Sequence, residues 1–257
     1  MIRNQALVTG VYVLSIRLTL SEFPTPGAFL HIRPWSAGTD PLLRRAFSIY
    51  DFDEATGIVD ILYKVFGRGS QLLSEVMAGE MLDVLGPLGN GFKLPRDFSR
   101  LVLVAGGVGI PPVYLLAKSY LRQGLAGDRI TCFCGLTSAY ERPIAERVEK
   151  LPINLQFSTD DGSFGYQGFV SELLRTRLND GSLGANPVIC ACGPNGMLKA
   201  VQTIAREHGN RCFLSLESIM PCGVGTCLGC VVKKAGEEQY LRVCREGPVF
   251  DANEVEL

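Results

Sequence analysis

Four cysteines near the C-terminal end constrain this chain more than any other feature of its sequence. Cys222, Cys227 and Cys230 lie in the segment CGVGTCLGC, and Cys244 follows after a short polar stretch. The spacing, C-x4-C-x2-C with a fourth cysteine further on, is the one that a plant-type [2Fe–2S] cluster requires. Three thiolates then come from one tight loop and a fourth returns from elsewhere, so the pattern predicts a one-electron carrier.

The residues around these cysteines suit such a loop. Gly223, Gly225 and Gly229 can adopt the positive φ angles of a backbone that wraps an inorganic core, with N–H groups left to point at sulfur. The segment VVKKAGEEQYLRV at 231–243 predicts a hairpin that brings Cys244 back to the loop. Two other uses of the cysteines remain open here: a structural zinc site, although zinc ribbons usually carry two CxxC pairs, and disulfide bonds.

The composition is that of a folded chain with room for two or three domains. It has 257 residues, of which 47% are hydrophobic. Lys and Arg number 25 against 26 Asp and Glu, without a basic or acidic block, which argues against nucleic acid or an anionic membrane as a partner. The longest uncharged run, 101–117, contains glycine and proline pairs and is too short to span a membrane comfortably.

The N-terminus and the cysteine count bear on where the protein works. The first residues mix apolar side chains with Asn4, Thr9 and Gly10, which indicates a first strand rather than a signal peptide. Nine cysteines are an odd number, which suits a reducing compartment with some thiols on a metal better than a secreted disulfide framework. The sequence therefore predicts a cytoplasmic protein.

Changes of pattern along the chain predict three domains. Residues 1–96 show short β-like runs separated by turn residues, which favours an antiparallel barrel. Residues 97–210 begin with an apolar strand, a glycine turn and a helix, and further apolar runs predict a parallel sheet. Residues 211–257 carry the four cysteines. The expected fold class is thus a β-barrel, an α/β domain and a small C-terminal [2Fe–2S] domain.

Two segments of the barrel region indicate phosphate binding. Gly67-Arg68-Gly69-Ser70 precedes a helical pattern for which Ser70 can provide the N-cap, and a glycine-rich helix start is a natural anion site. Upstream, Arg45 lies three residues before Ser48 on a strand-like run, and a guanidinium is a planar fork suited to phosphate. The alternatives are a solvated surface charge for Arg45 and an ordinary strand serine for Ser48.

In their order and spacing, RAFS, LYK and GRGS resemble the FAD-binding half of the ferredoxin–NADP reductase superfamily. The closest relatives usually have proline after the arginine, where this chain has Ala46, so that contact is less constrained in φ. The resemblance implies that FAD is bound, with contacts at Arg45, Ala46, Phe47, Ser48, Leu62, Tyr63, Lys64, Gly69 and Ser70.

The α/β region resembles the pyridine-nucleotide half of the same superfamily. AGGVGIPP carries its GGxGxxP version of the glycine turn, and CGPNGM resembles its last nucleotide-side motif, in which the cysteine lies near the nicotinamide. A buried strand thiol is the alternative for Cys192. The other cysteines outside the C-terminal motif, Cys132, Cys134, Cys190 and Cys212, are expected in the core. The implied nucleotide contacts are Gly106, Gly107, Gly109, Cys192, Gly193 and Pro194.

The choice between NAD and NADP is left open by the residues themselves. An acidic side chain after the second strand would bind ribose hydroxyls, whereas Ser and Arg would accept a 2′-phosphate. The segment GLTSAYERP offers Ser138, Glu141 and Arg142, which are compatible with either nucleotide. The family resemblance favours NAD.

The segments SLESIMPCGVGTCLGC, STDDGSFGYQGFV and VCREGPVF resemble the electron-transfer subunits of NAD-dependent dihydroorotate dehydrogenases. The resemblance implies a cluster held by Cys222, Cys227, Cys230 and Cys244. It also implies an FMN-containing catalytic partner subunit, with two copies of each chain, that oxidises dihydroorotate in pyrimidine biosynthesis. Electrons would pass singly through the cluster to FAD and as a hydride to NAD⁺. Such exchange needs no acid–base constellation, and none is visible.

Several residues and two other functions complete these expectations. GPLGNGF at 86–92 is expected to be an exit loop, His31 and His208 surface or barrel histidines, and Glu217 a surface residue or a neighbour of the flavin. One alternative is the small subunit of an NADH-dependent ferredoxin–NADP reductase or sulfide dehydrogenase, but such relatives can replace one thiolate with aspartate. An oxygenase reductase usually carries a longer ferredoxin domain. A zinc-binding interaction module would leave the RAFS, GRGS and GGVGIPP segments unexplained.

Overall fold

The computed structural model describes residues 1–33 and 40–257. Its strands are β1 (Arg3–Val8), β2 (Val11–Arg17), β3 (Phe29–Arg33), β4 (Arg45–Ser48), β5 (Asp51–Asp53), β6 (Ile58–Lys64), β7 (Asp83–Leu88), β8 (Arg100–Gly106), β9 (Ile130–Leu136), β10 (Asn154–Thr159), β11 (Tyr166–Gln167), β12 (Pro187–Cys192), β13 (Arg211–Ser215), β14 (Val231–Lys234), β15 (Tyr240–Arg242), β16 (Val249–Asp251) and β17 (Val255–Glu256). Its α-helices are α1 (Arg68–Glu75), α2 (Ile110–Arg122), α3 (Glu146–Glu149), α4 (Val170–Asn179) and α5 (Asn195–Glu207).

The N-terminal region is built from two antiparallel sheets, ordered β1-β2-β6-β5 and β4-β3-β7. Leu14, Leu30 and Ile61, from three different strands, are completely buried in one apolar cluster between the sheets. Burial of such aliphatic side chains stabilises the region by about 2 kcal/mol each. The predicted antiparallel barrel fold is thereby confirmed.

Helix α1 packs Leu73 into the same core. It begins one turn earlier than expected: its N-cap is Gly67, whereas the sequence predicted Ser70. The hydroxyl of Ser70 accepts the N–H groups of Phe66 at 2.9 Å and Gly67 at 3.1 Å, and donates to the carbonyl of Gly67. Ser70 thus stabilises the turn from inside the helix, and the prediction that it is the N-cap is wrong.

The α/β region is a seven-stranded sheet in the order β11-β10-β9-β8-β12-β13-β16. All pairs are parallel except β13 with β16. All six residues of β12 are buried, as expected of a strand covered by helices on both faces. The chain builds outward from β8 through β9 and β10, then returns to the other side of β8 as β12, so the sheet has a switch point between β8 and β12. The predicted parallel sheet is confirmed.

The C-terminal segment forms a small sheet ordered β15-β14-β17. Strands β14 and β15 pair antiparallel from Val231 with Arg242 to Lys233 with Tyr240, which confirms the predicted hairpin. Cys230 and Cys244 lie at its open end, where the N–H of Val243 donates to the carbonyl of Cys230 at 2.9 Å. The hairpin therefore returns the fourth cysteine to the loop that holds the other three.

The division at residues 96 and 210 stays a proposal. The large sheet itself crosses residue 210, because β13 is hydrogen-bonded to β12 and β16 to β13. Met220, Cys230, Val243 and Cys244 share one apolar cluster with β8 and β12. The cysteine segment is thus packed directly on the α/β sheet and shares two strands with it.

A polar network connects the barrel to the α/β region. Arg147 of α3 forms ion pairs with Asp51 of β5 and Asp60 of β6, and its guanidinium lies over the ring of Tyr50 at 4.8 Å. Lys118 of α2 makes a further ion pair with Asp51. Because these side chains are largely shielded from solvent, the network restricts how the two regions are oriented.

None of the nine cysteines, all of them within the described residues, forms a disulfide bond. Within the same residues, no helix combines the length and the apolar character that crossing a bilayer demands.

Candidate functional site

A first cavity of about 740 Å³ opens at the carboxyl ends of the central parallel strands. Gly106 ends β8 and Gly193 follows β12, so both glycine turns meet at the switch point of the sheet. Ligands of open parallel sheets bind at such a point. Five of the six predicted nucleotide residues line the cavity: Gly106, Gly107, Gly109, Gly193 and Pro194.

Close packing explains why these positions are glycine. A Cβ at Gly109 would overlap the carbonyl oxygen of Cys192, and one at Gly106 would lie 2.7 Å from the sulfur of Met197. Gly107 has φ of +51°, a conformation that glycine adopts without the cost other residues incur. The two turns can therefore approach each other, and a bound nucleotide, by their backbones.

Cys192 does not line this cavity. Its side chain is 1% exposed at the end of β12, and burial raises the pKa of its thiol, with Glu217 acting in the same direction. The alternative interpretation of a buried strand thiol describes this geometry. A role of Cys192 close to the nicotinamide stays a prediction. The next residue, Gly193, does line the cavity.

Two carboxylates stand out in the first cavity: Glu141, which the sequence offered as one candidate for the ribose hydroxyls, and Asp160, which the sequence analysis missed. Glu141 and Asp160 both line it, and Asp160 follows β10 directly. The pKa of Asp160 is raised, first by burial and then by the negative charges of Glu141 and Asp161. The signal that could have identified Asp160 is its position at the carboxyl end of a predicted parallel strand. Two clustered negative charges disfavour the 2′-phosphate of NADP next to them.

A second cavity of about 480 Å³ lies between the barrel and the start of the C-terminal segment. Phe47 meets Tyr63 edge to face with ring centroids 5.6 Å apart, so the two strands form a continuous wall. Six of the nine predicted FAD residues line it: Ala46, Phe47, Ser48, Leu62, Tyr63 and Lys64.

The other three predicted FAD residues lie together at the N-terminus of α1. The space that a Cβ on Gly69 would need is occupied by the guanidinium of Arg45, and Ser70 follows Gly69. A positive side chain therefore lies against a helix N-terminus, whose first N–H groups have no helical acceptors. This combination suits a diphosphate, although the Ser70 hydroxyl is engaged within its own turn.

The two cavities meet. Lys64, Val108 and Glu217 line both of them. Glu217 is exposed, and both cavities open onto it. Protein atoms nevertheless surround much of its carboxyl, and this desolvation raises the pKa of Glu217. A ligand in one cavity would therefore contact a ligand in the other across these three residues. From the sequence, Glu217 was either a surface residue or a neighbour of the flavin. In the structure it lies where the two cavities meet.

The cysteine loop follows the second cavity along the chain. Met220 lines that cavity, and Cys222 begins the loop two residues later. Gly223 and Gly225 have φ of +72° and +83°, as expected, but the third left-handed residue is Leu228, not Gly229. Gly229 is required for a different reason, because a Cβ there would lie 2.8 Å from the ring of Pro221. Its N–H lies 3.4 Å from the sulfur of Cys227.

The four thiols form two pairs. Cys222 lies beside Cys227, and Cys230 lies beside Cys244. Burial raises the pKa of Cys222, but hydrogen bonds from Thr226 and from the backbone of Val224 and Cys227 outweigh it and lower the pKa to about 5. Burial and the contact with Cys230 raise the pKa of Cys244 to about 12. The first pair is more open to solvent than the second, which is buried.

This arrangement fits a two-iron group. Across residues 1–33 and 40–257, no three His, Cys, Asp or Glu side chains converge as one bound metal ion would need. Two pairs of thiols, with a backbone N–H at one sulfur, provide two thiolates for each iron of a [2Fe–2S] cluster.

The segment GPLGNGF, which was expected to be an exit loop, forms the end of β7 with its first three residues and supports the cysteine segment. The side-chain amide of Asn90 donates to the carbonyl of Arg245 at 2.6 Å, and the backbone N–H of Asn90 donates to the carbonyl of Gly247. A Cβ on Gly89 would lie 2.6 Å from Pro248. The barrel thus holds the chain just after Cys244, and the glycines are needed for this close approach.

Known proteins resemble the chain over its whole length. Residues 217–256 match the family model described as the iron-sulfur cluster binding domain of dihydroorotate dehydrogenase B. The chain is 37% identical to the "Dihydroorotate dehydrogenase B (NAD(+)), electron transfer subunit" of Enterococcus faecalis, over 100% of this chain and 96% of that protein. The protein of the same name from Geobacillus kaustophilus is 42% identical, over 95% and 91% of the respective chains.

Solved structures agree with this fold. The structure of an NADH-dependent reduced ferredoxin–NADP oxidoreductase superposes with a TM-score of 0.84 at 28% identity, and the match covers 99% of this chain and 88% of that one. A ferredoxin NADP⁺ reductase from Neisseria gonorrhoeae with bound FAD and NADP has a TM-score of 0.66 at 19% identity, covering 81% and 89%, and shows the shared fold. The full-length relatives decide the identity: the chain belongs to the family of electron-transfer subunits of NAD(+)-dependent dihydroorotate dehydrogenase B.

Proposed function

We propose that this chain is the electron-transfer subunit of an NAD-dependent dihydroorotate dehydrogenase. It takes electrons from a catalytic partner subunit and delivers them to NAD⁺ through a [2Fe–2S] cluster and FAD. The observation that carries the proposal is the continuity of three sites: the nucleotide cavity and the flavin cavity share Lys64, Val108 and Glu217, and the cysteine loop begins two residues after Met220 in the wall of the flavin cavity.

The residues of the chain bind and orient these groups. Bound here, FAD exchanges a hydride with NAD and single electrons with the cluster. Arg45 and the N-terminus of α1 hold the diphosphate of FAD, and β4 and β6 line the flavin cavity. The glycine turns after β8 and β12 accept the nucleotide, and the two thiol pairs hold the irons.

NAD is favoured over NADP by the charge of the first cavity. Glu141 and Asp160 place two carboxylates in its lining, where ribose hydroxyls can donate to them and a 2′-phosphate would be repelled. The basic residue of the lining, Lys64, lies at the junction with the flavin cavity.

The partner and the compartment follow from the family. We propose an FMN-containing catalytic subunit, with two copies of each chain in the complex; the relatives' names as electron-transfer subunits support a catalytic partner. Nine free thiols, four of them proposed as iron ligands, suit a reducing cytoplasm.

A second function is favoured by one structural relative. The small subunit of an NADH-dependent ferredoxin–NADP oxidoreductase would use the same three sites with a different electron donor, and the solved structure of that name superposes over nearly the whole chain. Four intact cysteines and the full-length relatives argue for the dihydroorotate role.

The deciding experiment is dihydroorotate-dependent reduction of NAD⁺ by the complex that co-purifies with this chain. Activity should be lost when the chain is removed and return when it is added back, and NADPH should serve poorly in the reverse direction. If NADH reduces artificial acceptors but dihydroorotate supports no turnover, the substrate assignment fails. Activity with reduced ferredoxin and NADP⁺ under those conditions would establish the second function.

A further inference from the structure

His31 is a buried histidine with no place in the function described so far. It lies on β3 of the barrel with 1% of its surface exposed, rather than on the surface. An imidazole taken out of water loses hydration that its two nitrogens must regain from the protein. The partners of those nitrogens therefore indicate what the side chain does.

One nitrogen faces the start of the cysteine loop. The Nε2 atom lies 2.9 Å from the carbonyl oxygen of Met220. A carbonyl only accepts hydrogen bonds, so Nε2 carries the hydrogen and donates it. Met220 lines the flavin cavity and precedes Cys222 by two residues. This bond ties the beginning of the loop to the barrel.

The other nitrogen faces the loop itself. A Cβ on Gly223 would lie 2.7 Å from Nδ1, so the backbone next to Cys222 packs against the ring. Nδ1 is buried and has no hydrogen-bond partner among residues 1–33 and 40–257. Burial lowers the pKa of His31, and the charges of Arg44 and Arg45 act in the same direction. A neutral ring that donates from Nε2 directs the lone pair of Nδ1, the negative end of its dipole, toward the loop.

The third side of the ring faces the flavin site. His31 is directly opposite Ala46 in the antiparallel pair of β3 and β4, and opposite residues project to the same face of a sheet. Ala46 lines the flavin cavity. The imidazole therefore lies between the wall of that cavity and the backbone of the cysteine loop.

We propose that His31 is a positioning residue that holds the cysteine loop against the flavin barrel and tunes electron exchange between the two sites. The inference rests on the proposed function, since it needs FAD in the second cavity and a cluster on the loop. His31 acts through the contacts it makes with Met220 and Gly223.

The test compares three variants in the complex with the catalytic subunit. His31→Leu removes both nitrogens, and His31→Gln keeps an N–H donor that can reach the carbonyl of Met220. His208→Gln is the matched control, because the ring of His208 bonds to Ile204 on α5 and to Asn179 on α4, and His208 lines neither cavity. For each protein, FAD and iron content, NADH reduction of FAD, the following reduction of the cluster, and the cluster's midpoint potential are measured.

In His31→Leu we expect NADH to reduce FAD at the wild-type rate, while electron transfer from FAD to the cluster slows by about tenfold, as expected when reacting groups lose their alignment. The midpoint potential should shift to more positive values, since the negative end of the ring dipole is removed. Backbone amides of residues 220–230 should exchange hydrogen faster. His31→Gln should recover most of the rate and the potential, and His208→Gln should match the wild type.

The outcomes separate the inference from the proposed function. A wild-type protein without FAD that NADH can reduce, or without a cluster, would overturn the proposed function itself. If these are present, equal cluster reduction rates and potentials in wild type and His31→Leu would overturn the role of His31. A defect that His31→Gln shares fully would also overturn it, because the loss would then reflect packing around the ring rather than the bond to Met220.

Discussion

The guanidinium of Arg147 lies 2.6 Å from the carboxylate of Asp60, although 87 residues separate them along the chain. The same guanidinium lies 3.3 Å from Asp51, and the hydroxyl of Ser15 donates to Asp60 from the other side. The pair joins the α/β region to the barrel. How these two regions are oriented relative to each other therefore depends on it.

We expect Arg147→Leu to lower the free energy of unfolding by about 2 to 3 kcal/mol, because the largely shielded Asp60 loses its ion pair and Asp51, which still has Lys118, loses one of two. Urea unfolding of the purified protein would measure this change. Arg175→Leu is the control: its ion pair with Glu207 is exposed on the helices, and it should cost only about 0.5 kcal/mol. Equal losses in the two variants would contradict the role of the network.

Tyr114 predicts a particular alkaline sensitivity. Burial, and then the negative charge of Asp51, raise the pKa of its hydroxyl from 10.0 to about 12. The folded state holds this proton more tightly, so the stability it confers is complete below pH 10 and is lost as the pH rises through 12. The free energy of unfolding should fall less steeply over this range in Tyr114→Phe. Identical slopes in urea unfolding at several pH values would contradict the assignment.

Cys227→Ser should remove the [2Fe–2S] cluster and leave flavin chemistry in place. Cys227 is the exposed cysteine among the four proposed iron ligands, and a hydroxyl is a poor replacement for a thiolate on iron. Iron content and visible absorption should fall, whereas FAD content and NADH-driven dye reduction should stay within about twofold of the wild type. Cys212→Ala, which changes a buried thiol outside the loop, should retain its iron. Loss of FAD together with the iron would show that the sites are not separable.

Arg45→Ala should weaken the retention of FAD. Removing a guanidinium from a diphosphate site costs about 1.4 kcal/mol or more, so the dissociation constant should rise about tenfold. Equilibrium titration of the apoprotein with FAD measures it directly. The neighbouring Arg44 forms an ion pair with Asp83, and Arg44→Ala should change the affinity far less. An unchanged affinity in Arg45→Ala would refute the phosphate role.

Asp160→Asn should increase the use of NADPH. One of the carboxylates that line the nucleotide cavity is then neutral, and we expect the ratio of kcat/KM for NADPH to that for NADH to rise about tenfold. Asp161→Asn is the control, because the Asp161 carboxylate accepts the N–H and hydroxyl of Ser163 in its own turn. A ratio that changes equally in both variants would mean that the effect comes from general charge rather than from the cavity.

Local patterns were sufficient for most of the architecture. The strands around Val104, Phe133 and Ala191 are uninterrupted apolar runs of the kind that only a sheet covered on both faces can bury, and the parallel sheet was predicted from them. The hairpin between Cys230 and Cys244 followed from its central glycine turn, because turn chemistry acts over a few residues. The helix start near Ser70 was displaced by one turn, since a serine can satisfy N–H groups from the cap or from inside the helix.

The sequence by itself determined the local motifs: the cysteine spacing, the glycine turns and the family to which they belong. Only the tertiary structure decided which distant residues meet. It placed Glu217 at the junction of two cavities, Asp160 beside Glu141, Asn90 against the chain after Cys244 and His31 under the cysteine loop. Such contacts join residues far apart in the chain, and the free energy that holds them comes from burial in the assembled core, which no single segment can supply.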